Sequence, residues 1–223
     1  MNLLALDTSS EYCSCALLAG GAIRQRIENA GQTHSLRLLP MVYELLREAG
    51  LALHQLDGIA VAVGPGSFTG LRIATAVGQG LAFGAGLPVA AIGTLEAIAW
   101  GEGRARVIVC ADARMGEVYT AAFVRDGDRM SGHGPVQVSA PADVPVLAGT
   151  DWVGAGNGFA RYGDLLAARF DGALREVRPA ACPEARHVLD LARVRFPDGF
   201  TDPPEALVPV YVRDKVALTM AER

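Results

Sequence analysis

"NLLALDTSSEYCSCALLAGGAIRQRIE", residues 2–28, holds the reading on which the fold turns. Its β-rich apolar runs break at Asp7 to Glu11 and again at Gly20-Gly21, which spells strand, tight turn, strand, Gly-Gly hairpin, strand. The same order returns in "VIVCADARMGEVYTAAFVRDGDRMSG", residues 107–132. There a strand ends in Asp112 before a turn, a second strand carries Glu117 and Tyr119, and a hairpin follows at Asp126-Gly127. Identity between the two stretches is loose but their order is kept, which reads as an internal duplication.

Working outward, each antiparallel meander is followed by helix and buried strand. From Ser35 to Ala49 the apolar positions Leu36, Leu39, Tyr43 and Leu46 recur at helical spacing, and Pro40 predicts a late start or a kink before Gly50 ends the helix. "LDGIAVAVGPG" (56–66) and "LPVAAIG" (87–93) read as strands buried on both faces, with a helix-length segment between them and after them a helix capped by Thr94 and running through Trp100. In the second half, "WVGAGNGFARYGDLLAARF" (152–170) gives a short strand and a helix. "PEARHVLDLARVRF" (183–196) gives a helix with Val188, Leu189, Ala192 and Phe196 inward. The tail from Pro203 is Pro-rich, then weakly helical.

Two βββαβα halves with a cleft between them predict an α/β fold of duplicated actin-like (ribonuclease H-like) lobes, each a mixed sheet with helices. The expected lobes are 1–102, with the glycine-rich helix, and 103–223, whose tail from about 207 packs back on the first lobe.

The 223 residues are 51% hydrophobic and 20% charged with net charge -4, the composition of a soluble globular chain. Lys215 is the only lysine, and the mild acidity argues against holding nucleic acid alone through a basic face. The N-terminus lacks a basic n-region and its apolar run stops at Asp7, so it reads as a first strand of a cytoplasmic chain rather than a secretory signal. Cys13, Cys15, Cys110 and Cys182 show no CxxC spacing and read as small buried side chains.

Three stretches bear on chemistry. "ALDTSS" ends a strand in Asp7 and turns through Thr8, Ser9 and Ser10, which with Asp112 from the second half could face a phosphate and a hydrated Mg²⁺. A turn capped by Asp and Ser is the commoner use of such residues. "GPGSFTGLR" (64–72) looks like a phosphate loop, but Gly64 and Gly70 enclose five residues, Leu71 stands where the lysine belongs and Arg72 comes one place late. Ser67 or Thr69 as a helix cap is the simpler reading. His34 would need a second histidine at i+4 to hold a metal on a helix, and that position is Leu38. Arg186, Arg193 and Arg195, interleaved with Glu184 and Asp190, read as a solvated face.

The uncharged run from Ile73 to Leu95 has the length of a membrane span, yet Pro88 and Gln79 interrupt it and Ala and Gly dominate, so a span is not expected. On a helix, Gly70, Ala74, Gly78, Ala82 and Gly86 fall at successive i+4 positions as one stripe that lets another backbone come close. Helical glycines cost about 1 kcal/mol each relative to Ala, so packing must recover several kcal/mol, within the chain or against a second one.

Together "LLALDTSS", "GPGSFTGLRIATAVGQGLA", "DARMGEVYTAAF", "GAGNG" and "PVYVRDKVA" resemble the TsaB family, also called YeaZ, nearly end to end. The resemblance implies the actin-like fold and a role in making threonylcarbamoyladenosine beside the tRNA anticodon. The family's place is as an accessory, non-catalytic subunit pairing with the transferase TsaD, whose metal-binding His-x-x-x-His pair this chain breaks at Leu38. TsaE is a further partner, tRNA is met only through the complex, and a homodimer forms when TsaD is absent. The glycine-rich helix is the implied pairing surface, which places Gly70, Leu71, Ala74, Val77, Gly78, Leu81 and Ala82 at the interface. The alternative is an autonomous actin-like ATPase or small-molecule kinase, binding ATP or ADP with Mg²⁺ through Asp7–Ser10 and Asp112.

Overall fold

The structure, a computed structural model, describes residues 1–213; the expected weak helix of the tail, Lys215 and the end of the "PVYVRDKVA" motif lie outside the described residues. The first half runs β1 (Leu3–Asp7), β2 (Tyr12–Ala19), β3 (Ala22–Asn29), α1 (His34–Ala49), β4 (Gly58–Gly64), α2 (Phe68–Ala85), β5 (Val89–Gly93) and α3 (Thr94–Gly101). The second runs β6 (Arg106–Arg114), β7 (Glu117–Asp126), β8 (Arg129–Gly132), β9 (Gln137–Ser139), β10 (Trp152–Ala155), α4 (Asn157–Arg169), β11 (Leu174–Arg178) and α5 (Ala185–Arg195).

The duplication is visible in the sheets. The first has the order β3-β2-β1-β4-β5 and the second β8-β7-β6-β10-β11, with β9 added on β7. In both, the meander strands pair antiparallel and the next two are parallel to the first. Asp7 and Asp112 therefore hold matching positions at the ends of β1 and β6. Where the first half has α1, the second has only β9 and a short 3-10 turn at Pro141–Asp143.

α1 departs from its sequence reading. It starts at His34 and continues through Pro40, whose missing N–H costs one bond to the Leu36 carbonyl near the helix start. The stripe that suggested the helix is also only partly the one it buries. Leu38, Met41, Val42, Leu45 and Leu46 go inward, while Leu36 and Tyr43 are exposed.

The two halves also exchange helices. α3, closing the first half, sets Leu95, Ile98 and Ala99 on Val107, Val109, Ala121 and Phe123 of the second sheet. α5, closing the second, buries Val188, Leu189, Leu191 and Ala192 against Leu3, Ala5, Ala60 and Ile92 of the first. Full burial of a Val or Leu side chain is worth about 1.5–3 kcal/mol, so α5 stabilises the sheet opposite its own by several kcal/mol. α5 thus lies within the lobe expected at 103–223 yet packs on the first sheet. Leu207, fully buried, joins the same core as Leu6, Val61 and Ala82.

No helix among the described residues is long and apolar enough to cross a membrane.

Candidate functional site

The lobes enclose a cleft of about 930 Å³. Its walls are the turn after β1, the start of α2, the start of α3, the β6–β7 turn, the segment 179–183 and residues 210–213 of a strap that runs over 207–213. Of the sequence candidates, Ser9, Ser10 and Asp112 line this cleft, while Asp7 and Thr8 lie fully buried behind it.

The reason is the close approach of α2. Gly66 and Gly70 lie so near the carbonyls of Ser9 and Thr8 that a Cβ at either would collide with backbone. Ser67 N donates to Ser9 O at 2.7 Å, and Thr8 Oγ1 donates to Gly70 O at 2.6 Å. Ser67 caps α2 by accepting from Gly70 N at 3.3 Å. The glycines of "GPGSFTG" thus let a helix start press against the DTSS turn, and the Thr8 hydroxyl is consumed in holding it there.

Asp7 is the most perturbed acid of the site. Oδ1 accepts from Ser9 N at 3.2 Å and from Ser9 Oγ at 2.5 Å, while Oδ2 has no partner among the described residues. Burial pushes its carboxyl up to about 6, against the smaller lowering effect of the Ser9 bonds. Its counterpart is held quite differently. Asp112 Oδ1 accepts from Arg114 N at 3.0 Å and Tyr162 OH at 3.3 Å, and Oδ2 meets Arg161 Nη1 and Arg114 Nη1, each at 3.2 Å. Two guanidinium groups already occupy the place where the second half would meet a hydrated cation. His34 Nε2 donates to Ser10 O at 3.0 Å, and Leu38 fills the core one turn on. Among the described residues no group of three His, Cys, Asp or Glu could hold a metal ion.

Several site residues take roles that the sequence does not signal. Thr94 does not cap α3, whose N-cap is Gly93; it lines the cleft with a buried hydroxyl that has no partner among the described residues. The strap ties both halves together: Val210 N donates to Val63 O at 2.7 Å, Gln79 Nε2 to Leu207 O at 2.8 Å, and Arg72 Nε to Tyr211 OH at 2.9 Å. Arg213 then reaches Glu117 and, at 3.1 Å, Ala113 O of the second lobe. Arg72 also sits 3.8 Å over the Phe68 ring.

The expected pairing residues are placed mostly inward. Gly70, Leu71, Ala74, Gly78, Leu81 and Ala82 are buried, Val77 half-buried. A Cβ on Gly78 would lie 2.6 Å from Val61 Cγ2 and 3.3 Å from Leu207 Cδ1. The i+4 stripe is therefore used by the chain's own β4 and by the strap. The helix has a second small-residue stripe, Ala76, Gly80 and Gly84, which faces solvent with Arg72 and Phe83, and a Cβ on Gly80 or Gly84 would meet nothing within 4 Å among the described residues. Phe83 is 75% exposed, and on neighbouring α1 Leu36 and Tyr43 are 70% and 58% exposed.

Paired mixed sheets in matching strand order, helices between them and a cleft at the ends of β1 and β6 define the actin-like, ribonuclease H-like class. Residues 26–219 match the family model described as TsaD: tRNA N6-adenosine threonylcarbamoyltransferase. The chain is 37% identical to the tRNA threonylcarbamoyladenosine biosynthesis protein TsaB of Escherichia coli, covering 97% of this chain and 96% of that one. It is 37% identical to the protein of the same name from Haemophilus influenzae, covering 97% and 95%. A solved structure described as YeaZ from Pseudomonas aeruginosa superposes with a TM-score of 0.86 at 39% identity, covering 94% of this chain and 99% of that one. The chain belongs to the TsaB (YeaZ) family.

Proposed function

We propose that this chain is a non-catalytic subunit in the synthesis of threonylcarbamoyladenosine on tRNA, pairing with the transferase TsaD and supporting it. Involvement in that modification follows from the name its full-length relatives carry. The accessory role is supported by the position one turn after His34, where Leu38 is committed to the core and offers no second metal ligand. TsaD and TsaE as partners, a homodimer when TsaD is absent, and tRNA contact within the complex complete the reading.

The pairing surface moves with the burial of α2. Gly70, Leu71, Ala74, Gly78, Leu81 and Ala82 support the interface from beneath, and its contact face is Ala76, Gly80 and Phe83 with Leu36 and Tyr43 of α1. Such an apolar, small-residue face lets two helices from a partner approach closely. The test is reconstitution of the modification with TsaD and TsaE, with and without this chain, read by nucleoside mass spectrometry. Undiminished modification without the chain would refute the proposal.

The second reading, an autonomous ATPase or kinase, has the cleft in its favour. Against it stand the two arginines on Asp112 and the burial of Asp7 and Thr8. ATP turnover by the isolated chain, lost in Asp7→Ala, would decide for it.

A further inference from the structure

On the second lobe, away from the cleft, Arg104, Arg106 and Arg175 line a pocket of about 400 Å³ together with Ala105, Asp151 and Val153. Three guanidinium groups against one carboxylate stand out in a chain whose net charge is -4. Their placement is structural. Arg104 and Arg106 lie two residues apart at the entry to β6. Arg175 comes from β11, across β10. Trp152 pairs with Leu174 and Val153 with Glu176, so Arg175 is the extra residue of a β-bulge, a device that re-aims a side chain.

The charges are only partly neutralised. Arg106 is fixed by neutral groups: Nη1 donates to Thr150 O at 3.2 Å, and its Cζ lies 5.9 Å from the Trp152 ring centre. Gly149, at φ +80, leaves room for this, since a Cβ there would stand 3.2 Å from Arg106 Nη1. Arg104 approaches Glu176 at 3.6 Å, beyond hydrogen-bond range, and its Nε has no acceptor. Glu176 is shared with Arg178 at 2.8 Å. Among the described residues Arg175 and Asp151 make no ion pair. Three guanidinium groups around one pocket, with Arg106 and Arg175 exposed and Arg175 making no ion pair among the described residues, suit phosphate oxygens, which accept bidentate N–H bonds.

We propose that this pocket binds backbone phosphate of RNA. The inference rests on the tRNA-modification reading and adds to it a contact made by this chain itself. Its occupant is a phosphodiester because the pocket is open, carries little apolar surface for a base and lacks the enclosure a small anion would need to be held alone.

The experiment uses the full chain paired with TsaD and TsaE and an unmodified tRNA transcript, followed by fluorescence anisotropy from about 25 to 200 mM salt. The expected result is salt-dependent binding that the double variant Arg106→Glu/Arg175→Glu weakens at least tenfold. The slope of log K against log salt should fall by about two, one for each phosphate that no longer meets a guanidinium. Arg106→Lys/Arg175→Lys should retain most of the slope, and the control Arg186→Glu/Arg193→Glu on α5 should leave binding unchanged. Circular dichroism of every variant identifies any that fails to fold; if the double variant does, Arg175→Glu alone must lower the slope by about one. No tRNA binding by the wild type, an unchanged slope, or an equal loss in the α5 control overturns the proposal. A second arm titrates inorganic phosphate: saturation by phosphate that is lost in the double variant, with tRNA binding unchanged, assigns the pocket to a free anion and also overturns it. Reconstituted modification that needs the chain but is insensitive to the double variant, with unaltered tRNA binding, sinks this inference and leaves the accessory role standing.

Discussion

Gly78 and Gly80 stand two residues apart on one helix, and the same substitution should stabilise the chain at Gly80 but not at Gly78. In Gly80→Ala the new methyl meets nothing within 4 Å, so the variant gains helix propensity alone, about 1 kcal/mol. In Gly78→Ala the same gain is opposed by a methyl 2.6 Å from Val61 Cγ2, which forces β4 and α2 apart; overpacking of this kind costs typically about 1–3 kcal/mol. Gly78→Ala should therefore be level with the wild type or about 2 kcal/mol less stable. Gly78→Leu, which adds three further carbons at the same point, should fail to give a cooperative fold. For a chain of this length each kcal/mol moves the melting midpoint by about 2–4 °C. Urea and thermal unfolding at one fixed protein concentration, because association shifts apparent stability, would measure the pair. The reasoning is refuted if Gly78→Ala is stabilised as much as Gly80→Ala.

On the solvent side of α2, Gly80→Leu combined with Phe83→Asp should abolish pairing with TsaD and the homodimer while leaving the unfolding midpoint of the isolated chain within a few degrees; gel filtration reads the first, thermal melting the second. Asp7 supplies a pH dependence. Its folded pKa is raised from 3.8 to about 6, so its burial penalty is absent below pH 4, grows as pH rises and is complete above about 6, where it amounts to about 3 kcal/mol. Asp7→Asn should flatten the urea midpoint between pH 4 and 6.5 and raise it at pH 7; an unchanged pH profile would count against a buried, unpaired carboxylate. Arg213→Ala removes the strap's hold on Glu117 and Ala113, and hydrogen exchange at the Val210 amide should speed up by tenfold or more, while the amides of β4 stay protected.

The meander and its repeat were legible because alternation, an acidic turn and a glycine hairpin are local signals; the parallel pairing of β4 with β1 and of β10 with β6 is long-range and left no such mark. Helix faces were less so. The stripe Gly70-Ala74-Gly78 correctly marks a close approach, but periodicity names a face and not its partner, and here the partner is Val61 of the same chain. On α1, Leu36 and Tyr43 keep helical spacing yet point to solvent, because apolar residues on an outward face look the same in sequence as those on an inward one. The "DTSS" hydroxyls looked free for a ligand. That Thr8 is tied to Gly70 O, 62 residues away, and that Arg161 and Tyr162 reach Asp112 are long-range pairings that no local pattern records. The bulge at Arg175 is equally silent, being a slip in pairing between β10 and β11.

The crossing of α3 and α5 bears on how such a protein could be made or cut. A fragment ending at residue 102 would carry α3 without the sheet it covers and would leave Leu3, Ala60 and Ile92 bare where α5 belongs. The first half cannot then mature as the ribosome releases it; it must wait, aggregation-prone, for a helix made about 90 residues later, whereas the second finds α3 already made. A gene splitting the chain between the halves should yield two insoluble products that become soluble only when made together, and the intact chain should unfold in a single transition despite its two sheets.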